Sequence, residues 1–376
     1  MNVSHHMPDE LKQSEFKMNS IIQDRETIQY IPINGSQTYD YESKKEIEFQ
    51  ISTSHLVDFK TLQLCFQSDA SFNDLASNCI QSVQVYLNDE LIENVENYNM
   101  LEQAMTLASS NPGHYNGDLN ILQGAHKYNS GAVARSGDFV LGLGMLGITH
   151  ISQFLPVGNM RIVIRLEDPA RCASSSYSLG GVKLLMDVVK VIPSYEQRLK
   201  SLMRSEKGVA IPLISYESRR RQLEELNVIN MSYTELQSVF AMVDSGNVAE
   251  MPFPVTSFKA HMNNKFFSMP TTGLDTLPKM YIAMKKSLGG SQHDATGHSL
   301  FDYPTYKDKM TVLGVDCEKS AGHHSLLNNG INTKENAYQF NLEFTYNTVP
   351  ANSKLQVFTL FKKVLTFNSG GVKVLE

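Results

Sequence analysis

Short runs of alternating apolar and polar residues, each closed within a few positions by Asn, Asp, Gly or Ser, recur along the chain from Thr27 onward. Ile47, Phe49 and Ile51 form one run, Leu62, Leu64 and Phe66 another, and Val83, Val85 and Leu87 a third. A period of two places alternate side chains on one face of an extended backbone, so each run predicts a strand with one side on a core and the other toward water. Ser68-Asp69, Asn88-Asp89, Asn116-Gly117 and Asn129-Ser130-Gly131 supply the turns between them. Later runs at Met160, Ile162, Ile164 and Leu166, at Val182 to Val191, at Val209 to Ile214, at Phe340 to Tyr346, and at Leu355 to Leu375 continue the rhythm. Strands at this density restrict the chain to an all-β sandwich or barrel architecture.

Length then decides how many. The chain has 376 residues, and one hydrophobic core serves roughly 150, so two cores are expected. Residues 1 to 26 are polar and lack periodicity, which reads as an N-terminal arm. Pro193 to Lys207 is charged, helix-compatible, opens on Pro and runs into Gly208. The expected division is therefore 1–26 arm, 27–192 first unit, 193–208 linker and 209–376 second unit. Within the first unit, Val95, Tyr98, Leu101, Met105 and Leu107 have helical spacing up to Asn111-Pro112-Gly113, which predicts a short helix in a long inter-strand connection.

The two units echo each other. Ser82 to Leu91 aligns without gaps to Ser257 to Phe266, and the apolar spacing of Phe59, Leu62, Leu64 and Phe66 recurs in Leu236, Val239, Ala241 and Val243. Both copies carry a helix-compatible segment after the Asn-containing turn, the second around Leu277 to Leu288. Shared order at a nearly constant offset predicts an internal repeat of about 175 residues. Units this large exceed the roughly 100 residues of an immunoglobulin sandwich and suit eight-stranded jelly rolls.

Several function classes are disfavoured. A formal net charge of −6 does not suit a protein that coats nucleic acid, so any genome contact has to be local. The first twenty residues have no apolar signal-peptide core, and no stretch approaches the ~18 continuous apolar residues of a membrane span. Cys65, Cys79, Cys172 and Cys317 form no CxxC pair, which predicts buried reduced thiols with neither a metal nor a disulfide role. Gly142-Leu-Gly144-Met-Leu-Gly147 spells GxGxxG after an apolar run, but Pro156 follows too soon for the helix a dinucleotide turn must open, so a structural glycine loop is the expected reading. His293, His298, His323 and His324 lack metal-ligand spacing. Arg219-Arg220-Arg221, with Glu224 and Glu225 after it, reads as a salt-bridged face before a phosphate site. No catalytic, cofactor-binding or metal-binding residue is expected, and no cofactor; the chain is not read as an enzyme.

The order of segments resembles the double jelly-roll major capsid proteins of polinton-like viruses, virophages and the adenovirus-like lineage. The likeness is carried by Ile80 to Tyr98 (IQSVQVYLNDELIENVENY), Phe154 to Leu166 (FLPVGNMRIVIRL), the junction Met186 to Tyr216, and the closing Val364 to Leu375 (VLTFNSGGVKVL). This resemblance implies a homotrimeric, pseudo-hexameric capsomer tiling an icosahedral shell of a double-stranded DNA virus. It also implies partners in further copies of the chain, penton and minor capsid proteins and weak contact with packaged DNA, without membrane insertion. Location would be the virion, after synthesis inside a host cell. A glycan- or receptor-binding β-sandwich is the alternative, and an oxidoreductase using the glycine motif a distant third.

Overall fold

The computed structural model describes residues 21–35, 38–110, 114–124, 137–151, 153–262, 265–266, 269–288, 301–318, 330–334, 339–349, 352–369 and 371–375. The N-terminal set of elements comprises β1 (Ile22–Tyr30), β2 (Thr38–Tyr39), β3 (Glu46–Ser68), β4 (Ile80–Leu87), β5 (Glu90–Glu96), α1 (Tyr98–Ser109), β6 (Gly137–Gly142), β7 (Leu155–Leu166) and β8 (Leu179–Val191). Helix α2 (Pro193–Met203) leads to the C-terminal set: β9 (Val209–Gln222), β10 (Leu226–Asn230), β11 (Leu236–Asp244), β12 (Val255–Met262), β13 (Lys265–Phe266), α3 (Leu277–Ser287), α4 (Tyr303–Asp308), β14 (Leu313–Asp316), β15 (Gln339–Tyr346), β16 (Lys354–Asn368) and β17 (Gly371–Leu375).

Strand β3 is the key to the first roll. Its N-terminal half pairs with β7 from Glu46 to Val57, and its C-terminal half pairs with β8 and, from Gln63, with β6. Buried positions change phase along it: Ile47, Phe49 and Ile51 are followed by a wholly buried stretch from Leu56 to Phe59, then by Leu62, Leu64 and Phe66. A strand that leaves one layer and enters the facing one must turn its inward side over, and the phase change marks that crossing. The two runs that periodicity separates into two strands are therefore one bent strand. Counting its halves separately gives eight principal strands. One layer runs β1, β8, β3 C-terminal half, β6; the other runs β3 N-terminal half, β7, β4, β5.

The second roll has the same order. One layer runs β9, β16, β11, β14, and the other β10, β15, β12, β13. In each roll the first strand pairs with the eighth, the eighth with the third, the second with the seventh, and the fourth with the fifth. Strand β2 in the first roll and β17 in the second are additions outside this scheme. The chain is an all-β double jelly roll with short helices in its connections. The segments matched across the repeat, Ser82 to Leu91 and Ser257 to Phe266, are the fourth-to-fifth strand turns of the two rolls. Asn88 and Asp89 both have positive φ (50° and 66°), the backbone that a tight hairpin between right-twisted strands requires.

One boundary differs from the expected division. Strand β1 begins at Ile22, inside the segment assigned to the arm. Its residues show no alternation because Gln23 to Thr27 are exposed on both faces, so nothing in their hydropathy reports pairing with β8.

Candidate functional site

Where the two rolls meet, β5 of the first lies against β9 of the second, and the contact is polar at its heart. Glu93 on β5 is 1% exposed. Its carboxylate accepts hydrogen bonds from the Gly147 amide at 2.7 Å and the Ile148 amide at 2.9 Å, and from the Ser215 hydroxyl of β9 at 3.1 Å. Lys363 of β16, 4% exposed, donates its ammonium to the Ile92 carbonyl and faces the same carboxylate. Burial pushes the Glu93 pKa up; the Lys363 charge and the three donors oppose that shift without cancelling it.

The glycine motif is spent on this contact. A Cβ at Gly147 would lie 1.7 Å from the Ile214 carbonyl oxygen of β9, so only glycine lets the two rolls approach this closely. The amide that a phosphate-binding turn would aim at a ligand points instead at Glu93. Residues 147–150 form a single 3-10 turn, and Gly142 and Gly144 have open space around them.

A second buried acid lies alongside. Glu102 of α1 is pushed up to about 7 by burial, with a bond to Tyr98 pulling slightly the other way. Tyr216 of β9 completes this pocket, and burial together with the Glu102 and Glu93 carboxylates raises its phenol well above the ordinary range. Neutral, protonated Glu102 suits such a site better than a carboxylate does.

Farther along the seam, ion pairs replace the carboxyl-phenol contacts. Arg171, in the one-turn helix Pro169–Cys172, spans Glu167 at 2.8 Å and Asp244 of β11 at 2.7 Å, and Arg220 of β9 reaches the same Asp244 oxygen at 3.0 Å. Lys309 pairs with Asp74 across the same divide at 3.0 Å. The basic run Arg219-Arg220-Arg221 is thus largely engaged: Arg219 with Glu217 and the Tyr233 hydroxyl, Arg220 with Asp244. Arg221 is exposed.

The remaining candidates are not brought together. Cys79, Cys172 and Cys317 are buried, Cys65 is partly so, and all four are free thiols whose pKa burial raises. Among the described residues no cluster of three His, Cys, Asp or Glu could hold a metal ion. His293, His298, His323 and His324 lie outside the described residues. Among the described residues, no helix is long and apolar enough to cross a membrane.

Sequence reading missed Glu93, Glu102, Lys363 and the Arg171–Asp244 pair. A signal exists for two of them: Glu93 follows Ile92 in β5, and Lys363 sits in the apolar strand β16, so both are charges where a half-exposed strand has no inward room. Their partners lie tens to hundreds of residues away, and no local pattern names them.

No family model matches the sequence, and no curated protein matches it. Solved structures do. The chain is similar to the PBCV-1 virus capsid, with a TM-score of 0.61 at 11% identity over 93% of this chain and 96% of that one. It is similar to PBCV-1 VP54 fitted into the virophage Sputnik, at 0.63 and 11% over the same shares. The Sputnik virophage structure gives 0.55 at 9% identity, covering 94% and 88%. At such low identity the likeness is one of backbone arrangement, and with the strand order above it establishes that this chain shares the double jelly-roll fold of these capsid structures.

Proposed function

We propose that the chain is a major capsid protein, the structural subunit of the icosahedral shell of a double-stranded DNA virus, and that its activity is self-association. The observation that carries this reading is the repetition of one strand order in two rolls joined by a buried polar seam. A single chain then presents two similar units at a fixed angle, and three copies around an axis present six, a near-hexagonal block whose sides repeat. That the similar solved structures are capsids of PBCV-1 and Sputnik supports the same role.

On this reading, the first domain runs from Ile22, where β1 starts, to residue 192, the second covers 209–376, and 193–208 is the link between them. The capsomer is a homotrimer; trimers meet one another and the penton and minor capsid proteins through polar rims, and the protein resides in the virion. Exposed Arg221 is the residue of the basic run left to touch packaged DNA. Light scattering on the purified protein across a range of concentrations tests the assembly step. A mass of three times 42.1 kDa is expected; a persistent monomer that binds glycans would transfer the reading to a receptor-binding β-sandwich.

A further inference from the structure

The two rolls treat their first strands differently. In the second roll, β9 is an edge strand, paired among the described residues with β16 along one side, and it is covered by the first roll. Ile214 meets the Gly147 turn, Ser215 donates to Glu93, and half-buried Tyr216 faces Glu102. In the first roll, β1 occupies the equivalent place, at the edge of the same layer and antiparallel to the last strand of its roll. Among the described residues nothing covers its outer face: Gln23 to Thr27 and Gln29 are exposed, and Ile22, Ile28 and Tyr30 are half-buried.

The contact inside the chain is head-to-tail: the fifth strand and the Gly147 turn of roll one meet the first strand of roll two. A heterologous contact of this kind, repeated between similar units, either closes a ring or grows a filament. Taking the same step again from roll two requires the first strand of another first roll, which only a second copy of the chain can provide. We infer that the exposed face of β1 is a self-association surface, covered in the assembled protein by the second roll of a neighbouring copy. This rests on the capsomer reading and adds to it a specific surface and a direction.

The chemistry of β1 fits burial against a polar partner. Its charges are paired within the chain but not balanced: Arg25 bonds Asp58 and Asp187 at 2.8 Å each, and Lys190 approaches Glu26 at 3.2 Å and Asp24 at 3.6 Å, so two cations serve four carboxylates and the face stays acidic. A neighbour docking there meets side chains already held in place by ion pairs, and its own contact has to be polar or basic to match the remaining negative charge. The same charges keep the free edge from pairing with arbitrary strands before assembly. A nine-residue strand is about 30 Å long, so its face is one share of the ~800 Å² per partner that a specific contact buries.

The test places a thiol on β1. Gln23→Cys and Gln29→Cys are compared with Glu224→Cys, on the exposed β9–β10 turn, and with the wild type for the background from Cys65. Modification with a bulky maleimide is timed before and after assembly. Labelling before assembly is expected to leave the two β1 variants monomeric, and in preformed trimers their thiols should react about tenfold more slowly than the Glu224→Cys thiol. Hydrogen exchange on the unmodified protein gives the same reading without any substitution: amides of residues 22–30 should exchange more slowly in the trimer than in the dilute monomer. Trimers whose β1 thiols react as fast as the control, with unchanged exchange, would overturn the assignment of this surface and leave the capsomer reading standing. A wild type that never trimerises would overturn both.

Discussion

The first roll crosses between its layers on a continuous strand, and the second does not. From Glu46 to Ser68 the backbone stays extended while its side chains change phase, so the two layers of the first roll are hydrogen-bonded into one sheet. In the second roll the equivalent path breaks: β10 ends at Asn230, a loop follows, and β11 starts at Leu236, leaving two separate sheets. Side chains then hold the junction. The Tyr233 hydroxyl bonds Glu217 and Thr359, and its ring stacks on Phe361 with centroids 4.3 Å apart. One strand order can thus be secured by backbone pairing or by a buried side-chain network. The second is open to change by a single substitution.

The comparison can be broken most severely at the place where the rolls are tied together. Asp244→Ala takes the shared carboxylate from Arg171, which keeps Glu167, and from half-exposed Arg220, at a cost of about 3 kcal/mol. Chemical denaturation should then show the rolls unfolding in two steps where the wild type shows one; a single unshifted transition would mean that the seam does not couple them.

The pH dependence of the seam is the next largest effect. Glu102 has its pKa raised from 4.5 to about 7 in the folded protein, so the native state holds this proton more tightly than the unfolded chain does. Its contribution is therefore most favourable below 4.5, declines as pH rises to about 7, and is flat above. Glu102→Gln removes that slope, so the variant should gain stability over the wild type between pH 4.5 and 7, on the order of 2–3 kcal/mol by the upper end. A constant difference across that interval would contradict the assignment.

Within the second roll, Tyr233→Phe keeps the ring stack and strips the hydroxyl from Glu217 and Thr359, for a loss of ~1–2 kcal/mol. Hydrogen exchange should quicken in β10 and β11 and stay unchanged in β3, where backbone pairing does the same job; equal changes in both rolls would erase the distinction. The smallest effect is expected at Glu46→Gln, which removes an exposed ion pair with Arg165 at 2.6 Å. Its cost should stay below about 1 kcal/mol and shrink further in salt.

Sequence alone carries much of this architecture where the physics is local. Tyr98, Leu101 and Leu107 mark α1 by helical spacing although the helix is buried nearly all round, while Val95, which shares that spacing, belongs to β5; Pro193 marks the start of α2 because its missing amide costs nothing there. The 175-residue echo is legible because equivalent strands bury equivalent faces. The start of strand β1 is not legible, since Gln23 to Thr27 are exposed on both faces and have no alternation to show. Nor is the seam. Glu93 and Ser215, or Arg171 and Asp244, meet only after both rolls have formed, and the glycine motif reveals its purpose only when Ile214 is seen against Gly147.

The central claim is that one chain supplies two adjacent sides of a six-sided block. Negative-stain imaging of the main species from solution tests it most directly. Near-hexagonal outlines with three-fold symmetry, each built from six similar lobes, are the expected result; particles the size of a single two-lobed chain, or rings with another number of lobes, would contradict it.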